Sequence, residues 1–202
     1  MSNKQKQSGF TLVELLVVVA IIAVISAFAL PSINNAIANM RLRATATSVN
    51  GLIQQLRMQA VRDNRAYTMR IAVVGGLTTL YIDSILPATP NVLPNGAYDA
   101  GEPSVALPAD TIISDGTGGP PTNPTPAVVF PPYVKFATNG LMTFNERGLP
   151  CDITVSPACN TTAPYIIYMR QTRPLAVPAW SAITVTPAGR VKAFIYQPPN
   201  WY

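Results

Sequence analysis

The chain contains no histidine, only two cysteines and few charges, since acidic and basic residues together make up 11% of its 202 residues. Without histidine there is no Ser-His-Asp or Cys-His catalytic arrangement, no His-bearing zinc site and no facial iron triad. Cys151 and Cys159 do not form a C-x-x-C pair, so a thiolate cage lacks ligands too. These absences set aside the ordinary hydrolytic and metal-dependent enzymes. The chain reads as non-enzymatic, with no cofactor, no catalytic residue and no metal-binding residue.

Charge of either sign is missing locally as well. Between Arg41 and Arg70 six arginines face one acid, whereas Ile71 to Phe130 carries Asp83, Asp99, Glu102, Asp110 and Asp115 and no base at all. From Pro131 onward the chain is basic again, and the formal net charge is +5. Such alternation suggests head-to-tail complementarity or one basic face, with solvated surface as the plainer alternative.

What the chain does have is a long apolar run. From Phe10 to Leu30 only Thr11, Glu14 and Ser26 interrupt it. At about 1.5 Å per residue such a helix is roughly 30 Å long, the thickness of a bilayer core. A secretory signal peptide would place Lys4 and Lys6 in its basic region and cut at Ala27-Phe28-Ala29. The run exceeds the usual signal core, however, and Glu14 has no purpose in one. An acid at the centre of a spanning helix costs about 2.5–3.5 kcal/mol, less near the end where Glu14 lies.

The stretch Gly9-Phe10-Thr11-Leu12-Val13-Glu14 resembles the processing site of type IV prepilins and type II secretion pseudopilins. The resemblance implies that prepilin peptidase cuts between Gly9 and Phe10 on the cytoplasmic side and methylates the new amine, so that the apolar run is kept. A cut there creates an α-amine with an ordinary pKa near 8. In a dry bundle of such helices, Glu14 is expected to pair with the amine of a neighbouring subunit and so to set the axial register. The counts of Lys4 and Lys6 against Arg41 and Arg43 nearly tie by the positive-inside rule. Orientation therefore follows from the resemblance. It implies a single-pass protein of the bacterial inner membrane, amino terminus in the cytoplasm and body in the periplasm, later moved into a pilus or pseudopilus.

Beyond Pro31, which should kink the helix and has a counterpart in pilins, the apolar residues thin to a stripe. Ile33, Ile37, Met40 and Ala44, then Val49, Leu52, Ile53, Leu56 and Ala60, follow steps of mostly three and four. They predict an amphipathic helix to about Asn64 whose other face carries Arg41, Arg43, Arg57 and Arg62. The period then changes to two. Strands are expected at Tyr67–Val73, Leu77–Asp83, Thr111–Ser114, Tyr133–Ala137, Leu141–Phe144, Tyr165–Arg170, Ser181–Thr186 and Arg190–Tyr196, with Gly75-Gly76 as a hairpin turn. Pro87 to Pro132, with eleven of the twenty prolines, reads as a surface excursion.

The expected plan is α+β and pilin-like, a long amino-terminal helix on antiparallel sheet. It comprises a leader (1–9), a transmembrane or filament-core helix (10–30), its amphipathic continuation (31–65) and a β-rich domain (66–202) containing the excursion (87–132).

Three smaller signals complete the reading. In an oxidising compartment Cys151 and Cys159 close a short disulfide loop, worth about 2.5 kcal/mol by loop-closure entropy. The acids of "YDAGEP" and "ISDGTGG" offer hard oxygens for calcium, but at no EF-hand spacing. Finally, "MTFNERGLP" (Met142 to Pro150) and "ITVTPAGRVKAF" (Ile183 to Phe194) resemble the strand-and-turn motifs of FimT/GspH-like minor pilins and pseudopilins.

Some members of that subfamily bind DNA for uptake through a G-R-x-R segment, which here reads Gly189-Arg190-Val191-Lys192. Lysine keeps the charge but loses the planar fork, which suits phosphate contact better than base readout. The alternative is a hairpin with two solvated cations.

These resemblances imply a minor pilin of a type IV pilus. The alternatives are a minor pseudopilin of type II secretion or a DNA-binding minor pilin. The implied partners are other pilins or pseudopilins, prepilin peptidase, the inner-membrane assembly platform, membrane lipid and, in the last case, DNA. Mass spectrometry of the mature amino terminus discriminates at the first step. A start at Phe10 carrying one methyl group is expected, and a start at Leu30 restores the ordinary signal peptide.

Overall fold

The computed structural model describes residues 11–84, 95–116, 133–154, 159–172, 179–197 and 200–202; the side chains of 28–32, 139 and 197 lie outside it. Helix α1 (Leu12–Arg62) is one element of 51 residues, about 77 Å long at 1.5 Å per residue. It opens on Thr11 as N-cap and passes through Pro31, whose missing N–H removes one ladder bond. It ends where Asp63 caps it and Asn64 turns left-handed (φ 48°), with Arg65 N–H donating to Ala60 O at 3.1 Å.

Two sheets lie against the second half of this helix. The first has the order β3-β2-β1-β6-β7, built from β1 (Tyr67–Val74), β2 (Leu77–Asp83), β3 (Ser104–Ala106), β6 (Leu141–Phe144) and β7 (Pro150–Cys151). The second has the order β11-β10-β9-β8-β4, built from β4 (Thr111–Ser114), β8 (Tyr165–Gln171), β9 (Trp180–Val185), β10 (Val191–Gln197) and β11 (Asn200–Trp201). Both orders are antiparallel along their length. Gly75 and Gly76, both at positive φ, make the two-residue turn that pairs Val74 with Leu77.

The strand expected at Tyr133–Ala137 is cut short. Only β5 (Val134–Lys135) is extended, and it pairs with β8 in parallel. The chain then makes a single helical turn, α2 (Phe136–Asn139), closed by Gly140 at φ 63°. Phe136, the first residue of that turn, is fully buried in the core.

The core is shared by helix and sheets. Leu42, Val49, Ile53 and Leu56 have no solvent exposure and meet Met69, Leu80, Ile82, Met142, Phe144, Ile167, Ile183 and Val185. Each such aliphatic side chain contributes about 1.5–3 kcal/mol on burial.

The phase of this contact departs from the expected stripe. From Val49 to Ala60 the expected residues are the buried ones, but before that the body covers Ala38, Leu42, Thr45 and Ala46. Ile33, Ile37, Met40 and Ala44 stay exposed. At 100° per residue these two sets lie on opposite sides of the helix. The apolar stripe therefore divides, its upper part inside the body and its lower part facing away.

The proline-rich excursion is also less superficial than expected. Within its described residues β4 falls at the expected Thr111–Ser114, while β3, which the sequence does not predict, joins the first sheet and Leu107 is buried in the core. The rest of the excursion lies outside the described residues. Asp83, itself buried, accepts hydrogen bonds from the backbone N–H groups of Asn95 (3.1 Å) and Gly96 (2.9 Å), while Arg70 pairs with it at 2.8 Å.

Gly51 is an exposed glycine inside α1, and a Cβ built on it meets nothing within 4 Å. Gly51→Ala should raise the stability of the folded body by about 0.5–1 kcal/mol, through reduced backbone freedom of the unfolded chain. Urea unfolding of the two proteins measures this as a higher midpoint at unchanged slope.

Candidate functional site

At the amino-terminal end, Gly9 and Phe10 lie outside the described residues, and Glu14 occupies the first turn of α1. Its Oε2 accepts from Thr11 N–H at 3.0 Å and from the Thr11 hydroxyl at 2.9 Å, while Thr11 Oγ1 accepts from Glu14 N–H at 3.2 Å. This is a reciprocal capping box. The sequence carries its signature, a threonine three residues before a glutamate at the head of an apolar run. Reading Glu14 only as a partner for an amine passes over it. The box gives the carboxylate local hydrogen bonds in the isolated subunit and aims it at the helix start, where the amine of a processed chain would lie.

Beyond that turn the helix is apolar on every side and exposed: Leu12, Val13, Leu15, Leu16, Ile21, Ile22, Val24 and Ile25 are all between half and four-fifths accessible. A helix apolar all round requires lipid or other helices around it. Among the described residues no helix is long and apolar enough to cross a membrane. The described side chains of the run stop at Ala27, and the sequence continues it to Leu30. The side chain of Pro31, the expected kink, is likewise outside the described residues.

At the opposite end of α1, the two motifs that resemble the FimT/GspH-like subfamily meet. The turn after β6 is tied by Asn145, whose Oδ1 accepts from Arg147 N–H (3.1 Å) and Leu149 N–H (3.0 Å). The β9–β10 turn is closed by Gly189 N–H to Thr186 O (2.8 Å) and by Arg190 N–H to Thr186 Oγ1 (3.1 Å). Gly189 sits at φ 75°, and a Cβ on it would lie 2.7 Å from Gly148 O, so the second turn requires glycine for conformation and for space alike.

Arg57 lies beneath both turns. Its stem is within 3.1 Å of where a Cβ on Gly148 would stand, and its Nη1 donates to Gly189 O at 3.2 Å. Arg190 and Lys192 are exposed here, with Val191 packed on the core side. Lys192 Nζ lies 4.6 Å from the Phe194 ring. Arg147, which the sequence reading left unassigned, is exposed on the adjoining turn.

The basic face expected along α1 resolves into separate contacts. Arg41 pairs with Asp110 at 3.2 Å, Arg57 holds the turns, and Arg62 pairs with Asp63 at 2.7 Å. The guanidinium beside Asp63 holds that carboxyl below the usual range. Asp110 and Asp83 belong to the acidic block, so part of the complementarity between blocks is satisfied within one chain.

The acids considered for calcium also have protein partners. Glu102 takes Ser84 N–H on Oε1 (2.8 Å) and Asp99 N–H on Oε2 (3.0 Å), and burial pushes its carboxyl up. Cys151 and Cys159 form the disulfide, with Cα atoms 5.3 Å apart. Tyr165 hydroxyl donates to Cys151 O at 2.6 Å beside it.

Comparison with known proteins adds to this geometry. Residues 4–30 match the family described as the prokaryotic N-terminal methylation motif. The chain is similar to the type IV major fimbrial protein FimA of Dichelobacter nodosus, 45% identical over 49 residues, which are 24% of this chain and 31% of that protein. The same protein from strain VCS1703A shows 45% identity over 49 residues and 30% of its length, and a fimbrial protein of the same species 45% over 31% of its length. The chain thus spans about a third of the length of the curated relatives it matches. No solved structure matches it. The methylation motif and the partial identity support a type IV pilin-family precursor.

Proposed function

We propose that the chain is a type IV pilin-like structural subunit, processed after Gly9, methylated at Phe10, held in the inner membrane by α1 and then assembled with other pilins. The observation that carries this reading is the division of α1. One face is consumed by the body from Ala38 to Ala60, while residues 12–27, Glu14 and Ser26 apart, and Ile33, Ile37 and Met40 opposite the body have apolar side chains without cover. A bilayer covers the first set in a free subunit, and neighbouring helices would cover both sets in a filament.

The finer reading is a minor pilin of the FimT/GspH-like kind, supported by the way Gly148 and Gly189 bring the two motif turns together over Arg57. The same build would serve a minor pseudopilin of type II secretion. The pilus reading is preferred because the similar curated proteins are named as type IV fimbrial proteins.

In this proposal Glu14 exchanges its capping box for, or adds to it, the amine of an adjacent subunit. Glu14→Ala should leave the protein inserted and processed but strongly reduced in sheared filaments. Wild-type amounts of the variant in filaments would reject the assembly role.

A DNA-binding role is favoured by one observation, the exposed cations Arg190, Lys192 and Arg147 at the end of the body farthest from the apolar run. Contacts of that kind are to phosphate, so binding should weaken steeply with salt. In a shift assay the Arg190→Ala/Lys192→Ala protein should bind clearly more weakly than wild type; equal binding excludes this site.

A further inference from the structure

The outer edge of β10 is open at Val191 and Ala193. In an antiparallel pair the residues of a strand turn their N–H and C=O groups alternately toward and away from the neighbouring strand. Thr186 N–H donates to Arg190 O at 2.9 Å, and the register that runs from Val191↔Val185 to Ile195↔Ser181 then directs Lys192 and Phe194 toward β9 as well. Val191, Ala193 and Ile195 point the other way. Both ends of this outward row are occupied. Ile195 exchanges hydrogen bonds of 2.9 and 3.0 Å with Tyr202, and just before the strand Arg57 Nη1 donates to Gly189 O at 3.2 Å. Between them, among the described residues, no strand pairs with Val191 or Ala193 on that side. Each still offers one N–H and one C=O.

There is room beside this edge. Arg43, Ala46 and Thr47 of α1 line a groove with Ala193, Ile195 and Tyr202. A strand added here would continue the line of β11, about 4.8 Å from β10. Its side chains would alternate between two environments. Val191 and Ala193 pack on the core side, so their opposite numbers would enter the groove; Arg190 and Lys192 are exposed on the other face.

Main-chain pairing of this kind serves any extended segment, and the side chains choose among them. A second copy of the chain is a poor choice. Joining two such edges with Val191 opposite the second copy's Ala193 sets Lys192 against the second copy's Lys192, and like charges directly opposite destabilise a pair. The lysine that keeps a second copy away favours a carboxylate. Neither Arg43 nor Arg190 nor Lys192 has an acid as ion-pair partner among the described residues.

We propose that the Val191–Ala193 edge takes an extended acidic segment of a partner protein as an added antiparallel strand. Its carboxylates lie beside Arg190 and Lys192, and its alternate, apolar side chains enter the groove with Ala46 and Ala193. The contact joins main chain and charge, unlike the phosphate contact considered above, and it holds whichever filament the chain enters.

The test uses the full chain in dodecylphosphocholine micelles and the blocked peptide acetyl-Val-Glu-Val-Glu-Val-amide, with amide hydrogen exchange read residue by residue. Saturating peptide should slow exchange at Val191 and Ala193 several-fold. The same peptide N-methylated at its valines keeps its charges but cannot donate to the edge, and it should give no protection. Arg190→Glu/Lys192→Glu, at two exposed positions, should weaken binding of the unmethylated peptide several-fold. Absence of binding, equal protection by the two peptides, or wild-type affinity in the variant would overturn the inference. A short DNA duplex should leave both amides exchanging as in the free chain; protection by the duplex would assign the edge to nucleic acid and overturn it too.

Discussion

The structure depends on how one helix distributes its apolar surface. From Leu42 to Ala60 a single face is buried so completely that both sheets are organised around it, with Leu42, Val49, Ile53 and Leu56 at zero exposure. Before Ala38 the same helix has no body to pack on. Its apolar side chains there are stabilised only by lipid or by other helices, because solvent exposure of so many would be strongly unfavourable. Folding of the body and placement in a membrane or filament are thus two consequences of one element. The point where they change over, near residues 33 to 46, is where the buried and exposed stripes lie on opposite sides.

Polar groups follow this division. Within the body the charges are mostly committed: Arg70 to Asp83, Arg41 to Asp110, Glu102 to two backbone N–H groups, and Arg57 to the turn that carries Gly189. The two ends of the body are then left with different chemistry. The far end presents Arg147, Arg190 and Lys192, whereas the end near the helix exit presents Arg43 and Tyr202 on the helix side of the second sheet and the Tyr196–Trp201 pair on its other face. The disulfide and the hydrogen bond from Tyr165 secure the chain after β7 and bring no chemistry of their own.

Much of this arrangement is legible from residue order. Periodicity of 3.6 located α1, and the Gly75-Gly76 turn located the first hairpin, because both are local features. The phase of the stripe before Val49 is not legible for a physical reason: hydrophobicity does not tell a side chain buried in its own body from one left for another molecule, and Ile33, Ile37 and Met40 are as apolar as Ile53. Arg41, Arg43 and Arg62 stay exposed as expected, but the partners of Arg41 and Arg57 lie 69 and 132 residues away, beyond any local pattern. Alternation around Phe136 predicts a strand, whereas Gly140 lets the chain close a helical turn instead. The capping box at Thr11 and Glu14 is local and readable from the threonine three residues before the glutamate.

In the proposed assembly Ile37 faces other subunits while Ala46, on the far side of the helix, faces the body. No free cysteine is found among the described residues, so a single introduced cysteine can be followed. Treating intact filaments with a benzophenone-maleimide, whose maleimide adds to the introduced thiol and whose benzophenone inserts into a nearby C–H bond on irradiation, should link Ile37→Cys to neighbouring pilins and leave Ala46→Cys unlinked. Equal linking at the two positions, or none at Ile37→Cys in filaments that contain the protein, would contradict the account.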